Sequence, residues 1–301
     1  MWDRTKDGTM PIANTLALVA AAKEGGYAVP AINIVDDLSI RAVVTAAEEI
    51  GSPIILQTSV KTVESMGAAL LATLVHAAAR NANVPVALHL DHCPDRAVIT
   101  QAIAAGWSSV LFDASNRPLE QARRETSEVV VEAHAAGVSV ESEIENIIGV
   151  EDGVGSDEAR HSYSVVELVE VARETCTDML APALGTAHGL YKAAPVLRVE
   201  RVHELRKLTD LPIVLHGGTG LADEEFRAFI VAGVSKINIS TALKLAYMRG
   251  VQTHIAEAER TGKWEPVKMF DQVSRSVRDV VASHIDIFGS AGVAAVQGVK
   301  V

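Results

Sequence analysis

The chain has 301 residues, 49% of them apolar, and a formal net charge of −11, so it can bury a sizeable core in one large domain or two ordinary ones. Its acidic balance leaves no basic stripe to replace the counterions of a nucleic acid, and no apolar run reaches the ~20 residues of a membrane span. Two cysteines, Cys93 and Cys176, in so long a chain point to a reducing cytoplasm rather than a disulfide framework.

Residues 1–9 lack the apolar stretch of a signal peptide and read as a flexible extension. From Asn14 to Lys23 the apolar spacing suits a short amphipathic helix, closed by Gly25-Gly26. A strand-then-helix pattern follows and repeats. Apolar strands are predicted at 28–34, 53–57, 84–91, 109–113, 139–143, 178–184, 212–216 and 236–240. Helices are predicted at about 38–50, 64–80, up to 103, 119–136, 165–175, from 200, 223–231 and from 242 onward. A Gly- and acid-rich loop, 149–157, follows the fifth strand, and a second polar loop follows the sixth.

Eight such units predict an α/β fold of the (β/α)8 TIM-barrel type, with a parallel sheet. The barrel would be a single domain over residues 10–288, ending in a C-terminal helical extension at about 270–288 that carries Arg275 and Arg278. The tail, 289–301, is expected to be loosely held. A doubly wound open sheet is the competitor, but no early G-x-G-x-x-G follows a strand.

The third strand, Val84 to Asp91, ends abruptly in Asp91-His92. Burying ionisable groups is costly unless they are paired or bound to metal. In a barrel, chemistry gathers at the C-terminal strand ends. Those ends here supply Asn33; Thr58 and Ser59; Asp91 and His92; Asp113 and Ser115; Glu141 and Glu143; Gly185 to Gly189 with His188; His216 to Gly220; and Asn238, Ser240 and Thr241. Three imidazoles and a carboxylate at four strand ends suit a catalytic Zn²⁺ with an open position, although any one histidine alone reads equally as a hydrogen-bonded interior residue. Gly217-Gly218-Thr219-Gly220 and Asn238-Ile239-Ser240-Thr241 each precede a helix. Singly they are a tight turn and a helix cap; together, after strands seven and eight, they form the recurrent barrel phosphate site.

These residues resemble the class II, metal-dependent ketose-bisphosphate aldolases of the fructose- and tagatose-bisphosphate type, from about Ile12 to Gly292. The motifs are His89-Leu90-Asp91-His92, Ser109 to Ser115, Val140-Glu141-Ser142-Glu143, Gly185-Thr186-Ala187-His188-Gly189-Leu190-Tyr191, Leu215 to Gly220 and Lys236 to Thr241. The resemblance implies that His92, His188 and His216 hold Zn²⁺, that Glu143 serves a second or alternative metal position, and that Asp91 is the acid/base at the C4 hydroxyl. Glu151 would be the acid/base on the loop after strand five. Gly189, Gly217, Gly218, Thr219, Asn238, Ile239, Ser240, Thr241 and Ser59 would grip dihydroxyacetone phosphate. A monovalent cation (Na⁺ or K⁺) near the phosphate, a homodimer or homotetramer, and a small phosphorylated sugar as the sole partner are also implied, with no nucleic acid or membrane.

Zn²⁺ chemistry suits the reaction, because cleavage beside a ketone leaves a carbanion that a Lewis acid stabilises. A Schiff-base route would need a lysine inside the barrel; Lys236 opens strand eight, at the wrong end, and Lys192 lies in a loop. His89 reads as a supporting residue and Cys93 as pointing away from the site.

The sequence departs from the family in three places, one of them Asn116, which stands where many members have His after Asp-x-Ser. Glu145, Ile147 and Ile148 stand where flexible glycines are usual, so the loop is expected to hinge differently. The basic residue for a second phosphate does not align, since Ser274-Arg275 is shifted by about one position. The substrate stays open between fructose or tagatose 1,6-bisphosphate and another phosphorylated ketose, such as a deoxy-keto-acid phosphate or a sulfo-sugar phosphate. A non-catalytic phosphosugar-binding barrel is the reading from a different class.

Overall fold

Short apolar runs flanked by turn residues form the strands: β1 (Val29–Asn33), β2 (Ile54–Thr58), β3 (Val86–Cys93), β4 (Ser109–Asp113) and β5 (Ser139–Glu143), then a hairpin of β6 (Gly149–Glu151) and β7 (Val154–Ser156), then β8 (Met179–Leu180), β9 (Ile213–Leu215) and β10 (Val234–Ile239). All except the hairpin pair in parallel and close into a barrel of order β1-β10-β9-β8-β5-β4-β3-β2. Closure joins β1 to β10, with Val29 opposite Lys236 and Ala31 opposite Asn238. This computed structural model describes residues 12–147, 149–151, 154–156, 161–191 and 194–296.

The helices are α1 (Thr15–Gly25), α2 (Asp37–Ile50), α3 (Val60–Met66), α4 (Ala68–Asn81), α5 (Arg96–Ala104), α6 (Leu119–Ala135), α7 (Val165–Thr175), α8 (Val199–Leu208), α9 (Asp223–Ala232), α10 (Thr241–Thr261), α11 (Pro266–Ile287) and α12 (Val293–Val296). Among the described residues no single helix is long and apolar enough to cross a membrane.

Side chains alternate across a strand, so the barrel sorts them into two cores. Outward residues such as Ile32, Leu88, Val140, Ile237 and Ile239 pack under the helices. Inward residues such as Ala31, Ile55, Ala87, Leu111 and Val214 pack against Leu18, Val19 and Ala22 of α1. Helix α1 thus closes the N-terminal end, tied by the Ala13 N–H donating to the Val86 carbonyl at 2.8 Å. The same alternation carries Glu141 and Glu143, and Lys236 and Asn238, into the barrel further along their strands.

Several boundaries differ from the sequence reading. The helix expected over 64–80 is broken at Gly67 (φ +87°) into α3 and α4, which meet at 95°. The loop 149–157 contains the β6–β7 hairpin. The sixth strand shortens to Met179–Leu180, because Pro182 has no N–H and Ala183 gives its N–H to Glu145 (3.0 Å) and its carbonyl to Arg201 (3.3 Å). The last long helix starts at Pro266, at its first turn, where the missing N–H costs nothing. The start of the expected loose tail is pinned: Gly292 and Ala294 donate to the carbonyls of Ile50 and Gly51, and Ser290 is fully buried against Ser52. The extension 1–9 and residues 297–301 lie outside the described residues.

Candidate active site

Strand β3 delivers two reactive side chains from consecutive residues. On a regular strand neighbours face opposite ways. Here the β3–β4 register shifts between Leu90 and Cys93, and His92 sits in the left-handed region at φ +43°. That conformation is uncommon for a residue with a Cβ. It turns His92 inward beside Asp91, with His92 Nε2 3.9 Å from Asp91 Oδ1. The two carry different company. Asp91 accepts hydrogen bonds from Asn238 Nδ2 (3.0 Å) on Oδ1, and from Asn33 Nδ2 (2.9 Å) and Gln57 Nε2 (3.2 Å) on Oδ2.

His92 meets the imidazoles of His188 and His216, each ring centroid 4.6 Å away. One ligand atom from each of the three lies within 4.8 Å of the others, and all three residues are buried. A second overlapping group is His92, Asp113 and Glu143. Glu143 Oε2 lies 2.9 Å from His216 Nδ1, yet neither atom has a hydrogen bond. Both ring nitrogens of His188 are also buried without a partner. Orphaned buried polar atoms are rare in native proteins unless something fills the space between them. Three convergent imidazoles, two of them with ring nitrogens unpartnered, beside a carboxylate, match the donor set of a divalent cation such as Zn²⁺.

The electrostatics follow from burial and from this crowding. Burial and the neighbouring imidazoles hold His188 and His216 well below the usual histidine range. Burial pulls His92 the same way, but the carboxylates of Asp91, Glu143 and Asp113 outweigh it and raise it well above that range. Burial raises Glu143 well above the usual carboxylate range. Asp113 is also pushed up by burial, but hydrogen bonds to His92 and Ser115 more than reverse this.

Two glycines let the next loops close over the three histidines. A Cβ on Gly217 (φ +69°) would stand 2.5 Å from the Ala187 carbonyl oxygen, and one on Gly149 (φ +109°) 2.6 Å from that of His188. Tyr191 locks the arrangement, its hydroxyl donating to the Gly217 carbonyl at 2.6 Å. Thr219 Oγ1 accepts from the Ala242 N–H at 3.3 Å, joining the loop after β9 to the start of α10. Ser240, at the N-cap of α10, is buried with its hydroxyl unpartnered.

The predicted residues therefore divide. Asp91, His92, His188, His216 and Glu143 come together. Gly217, Gly218, Thr219, Ser240 and Thr241 line the adjacent ends of β9 and β10, with Gly189 just after His188. Asn238 spends its amide on Asp91 and Lys236. Ile239 points its side chain into the outer core, leaving only its backbone available. Ser59 stands at the N-cap position of the short α3 without a side-chain capping bond, its hydroxyl 3.4 Å from that of Thr62. The backbone of Glu151 pairs with Val154, and its side chain lies outside the described residues, as does Lys192.

Lys236 corrects the sequence reading. It is fully buried inside the barrel, its ammonium donating to Glu141 Oε2 (2.8 Å) and Asn238 Oδ1 (2.7 Å). Asp113, Glu141, Gln57 and Tyr191 also belong to the site's frame and were assigned no role from sequence. Period-two alternation was the available signal: Glu141 lies two before Glu143, and Lys236 two before Asn238.

A closed parallel barrel with three clustered histidines that could hold a cation at its C-terminal mouth fits an enzyme architecture of the metal-assisted kind. The sequence profile of the family Fructose-bisphosphate aldolase class-II matches residues 13–293. A fructose-bisphosphate aldolase of Geobacillus stearothermophilus is 37% identical over 295 residues, covering 95% of this chain and all of that one. Among solved structures, a Coccidioides immitis protein assigned as a fructose-1,6-biphosphate aldolase superposes with a TM-score of 0.87 at 29% identity, covering 94% of this chain and 99% of that one. The YdjI aldolase of Escherichia coli K12 superposes with a TM-score of 0.81 at 28% identity, with the same coverage. The chain belongs to the class II fructose-bisphosphate aldolase family. It is an aldolase, a carbon–carbon lyase of the metal-dependent class.

Proposed function

We propose that the protein is a zinc-dependent aldolase that reversibly cleaves a ketose phosphate into dihydroxyacetone phosphate and an aldehyde. The observation that carries this is the set of three buried imidazoles, two of them with unpartnered ring nitrogens, beside an amide-held Asp91. His92, His188 and His216 would hold the ion, with Glu143 and Asp113 offering an alternative position beside His92. When bound, Zn²⁺ would polarise the ketone and stabilise the charge left on carbon.

The chain's own groups account for the rest. Asp91 takes the C4 hydroxyl proton in cleavage and returns it in condensation. Three amide N–H groups fix its carboxylate plane; Oδ2 accepts two of them and Oδ1 one, so Oδ1 keeps a lone pair for that proton. The loops after β9 and β10 receive the phosphate, with the Ser240 hydroxyl and the first turn of α10 supplying donors. A monovalent cation beside that phosphate, Glu151 as the second acid/base, Ser59 as a further phosphate contact, a homodimer or homotetramer and a cytoplasmic setting belong to the same reading.

Treatment with EDTA is expected to abolish cleavage of fructose or tagatose 1,6-bisphosphate, and added Zn²⁺ to restore it. Full activity in EDTA would sink the proposal. A second reading, another phosphorylated ketose, is favoured by the arginines of α11. Arg278 pairs with Glu49 on α2 and Arg275 with Gln272, both on the outer helix layer, so neither reaches the mouth of this chain to meet a second phosphate. A substrate panel read out through dihydroxyacetone phosphate separates the two.

A further inference from the structure

Among the described residues only Lys236 and Arg201 bury a lysine or arginine side chain. Arg201 sits in the outer helix layer; Lys236 lies inside the barrel with no exposure at all. Taking an ammonium and a carboxylate out of water costs several kcal/mol per ion before their attraction offsets it. This pair is tied at both ends to groups that do chemistry. From the Lys236 ammonium one branch runs through Glu141, whose Oε1 lies 2.7 Å from His216 Nε2. The other runs through Asn238, whose Nδ2 donates to Asp91.

An ammonium only donates hydrogen bonds. Asn238 must therefore turn its Oδ1 toward Lys236, which leaves Nδ2 for Asp91. The reversed amide would set an oxygen lone pair against the Asp91 carboxylate. Glu141, already accepting from Lys236, accepts the hydrogen bond of a His216 Nε2–H, which leaves the His216 Nδ1 lone pair facing the candidate ion site. That nitrogen is the one buried without a hydrogen bond.

We infer that Lys236 is a positioning residue: one donor-only cation fixes both the amide orientation that holds the proton carrier Asp91 and the imidazole tautomer that presents His216 to the ion. The inference rests on the roles proposed above for Asp91 and His216. It also explains why a barrel lysine close to the reaction is no Schiff-base nucleophile, since two of its N–H groups are committed and its ammonium has no lone pair.

The test is a cycle of Lys236→Met, Asn238→Ala and the double variant. Zinc affinity is measured on the apoprotein by chelator competition, and kcat and KM on zinc-saturated enzyme with the best substrate of the panel. Lys236→Met is expected to weaken zinc binding about 10–100-fold and to lower kcat more than it changes KM. The double variant should lose no more kcat than the worse single variant, because both changes break one chain. Wild-type zinc affinity and kcat in folded Lys236→Met, or fully additive losses, would overturn the inference. If Lys236→Met does not fold, Lys236→Gln takes its place in the cycle. Nitrogen-15 NMR of the wild-type apoprotein gives an independent check: His216 should carry its proton on Nε2, and a proton on Nδ1 overturns the inference. Wild-type protein that neither binds zinc nor cleaves any panel member would instead bring down the functional reading itself.

Discussion

Asp91 and His92 are consecutive residues with separate partners, and that separation makes their roles testable. Asp91 is gripped by amides from β1, β2 and β10, whereas His92 faces the carboxylates of β4 and β5. Asp91→Ala is therefore expected to leave zinc content at its wild-type level while cleavage falls about 10²–10⁴-fold, the usual worth of a positioned proton carrier. Metal analysis and steady-state kinetics on one preparation check both halves. Residues of this kind could be read from sequence because they stand where an apolar strand stops and a polar end begins. Lys236 could not be placed that way. It lies early in its strand, and what matters is where a long, inward side chain delivers its ammonium, which depends on Glu141 of β5, three strands away around the barrel. Asp113 was visible at a strand end, but its contact with His92 depends on the bulge in β3, which leaves no trace in the hydrophobic pattern.

At the scale of elements, the unusual segment after β5 has a physical explanation. Glu145 is fully buried and accepts from Arg201 Nη2 (2.9 Å), the Tyr163 N–H (2.8 Å) and the Ala183 N–H (3.0 Å). Arg201 also donates to the Tyr163 carbonyl at 2.7 Å. One ion pair thus clamps the root of the β6–β7 hairpin to α8 and to the strand segment leading to His188. Arg201→Met would leave Glu145 buried without its counter-charge and is expected to cost about 3–5 kcal/mol of stability, measurable by denaturant unfolding. The eight strand-helix units were visible from sequence because each buries an apolar strand under an amphipathic helix. The break at Gly67 and the hairpin were not, since both are short and decided by contacts distant in the chain. The Glu145–Arg201 clamp joins residues 56 apart, beyond the reach of any local pattern.

For the molecule as a whole, acid stability should depend on a histidine remote from the site. His284 of α11 lies between Phe226 of α9 and Phe288, at centroid distances of 6.2 and 5.6 Å. Burial holds it below the usual histidine range, against the opposing pull of the Val280 carbonyl and Asp223. A folded-state value below the unfolded one means that the unfolded chain binds the extra proton. This stabilisation is therefore present above about pH 6.5 and is lost as pH falls from there through the folded-state value. Thermal unfolding at pH 7.5 and pH 5 should show a smaller acid-induced drop in Tm for His284→Asn than for the wild-type protein. Heat acts differently on the mouth of the barrel. Asp91 and His92 share a peptide bond, so their Cα atoms stay about 3.8 Å apart however the strands breathe. His188 and His216 reach the same point from other strands, and thermal expansion of the ring separates them from His92. The first casualty of warming is then expected to be the grip on the proposed ion, not the spacing between Asp91 and His92. Activity lost on heating below the unfolding transition should return on adding zinc to the cooled protein; loss that zinc does not reverse would show that the machinery fails elsewhere first.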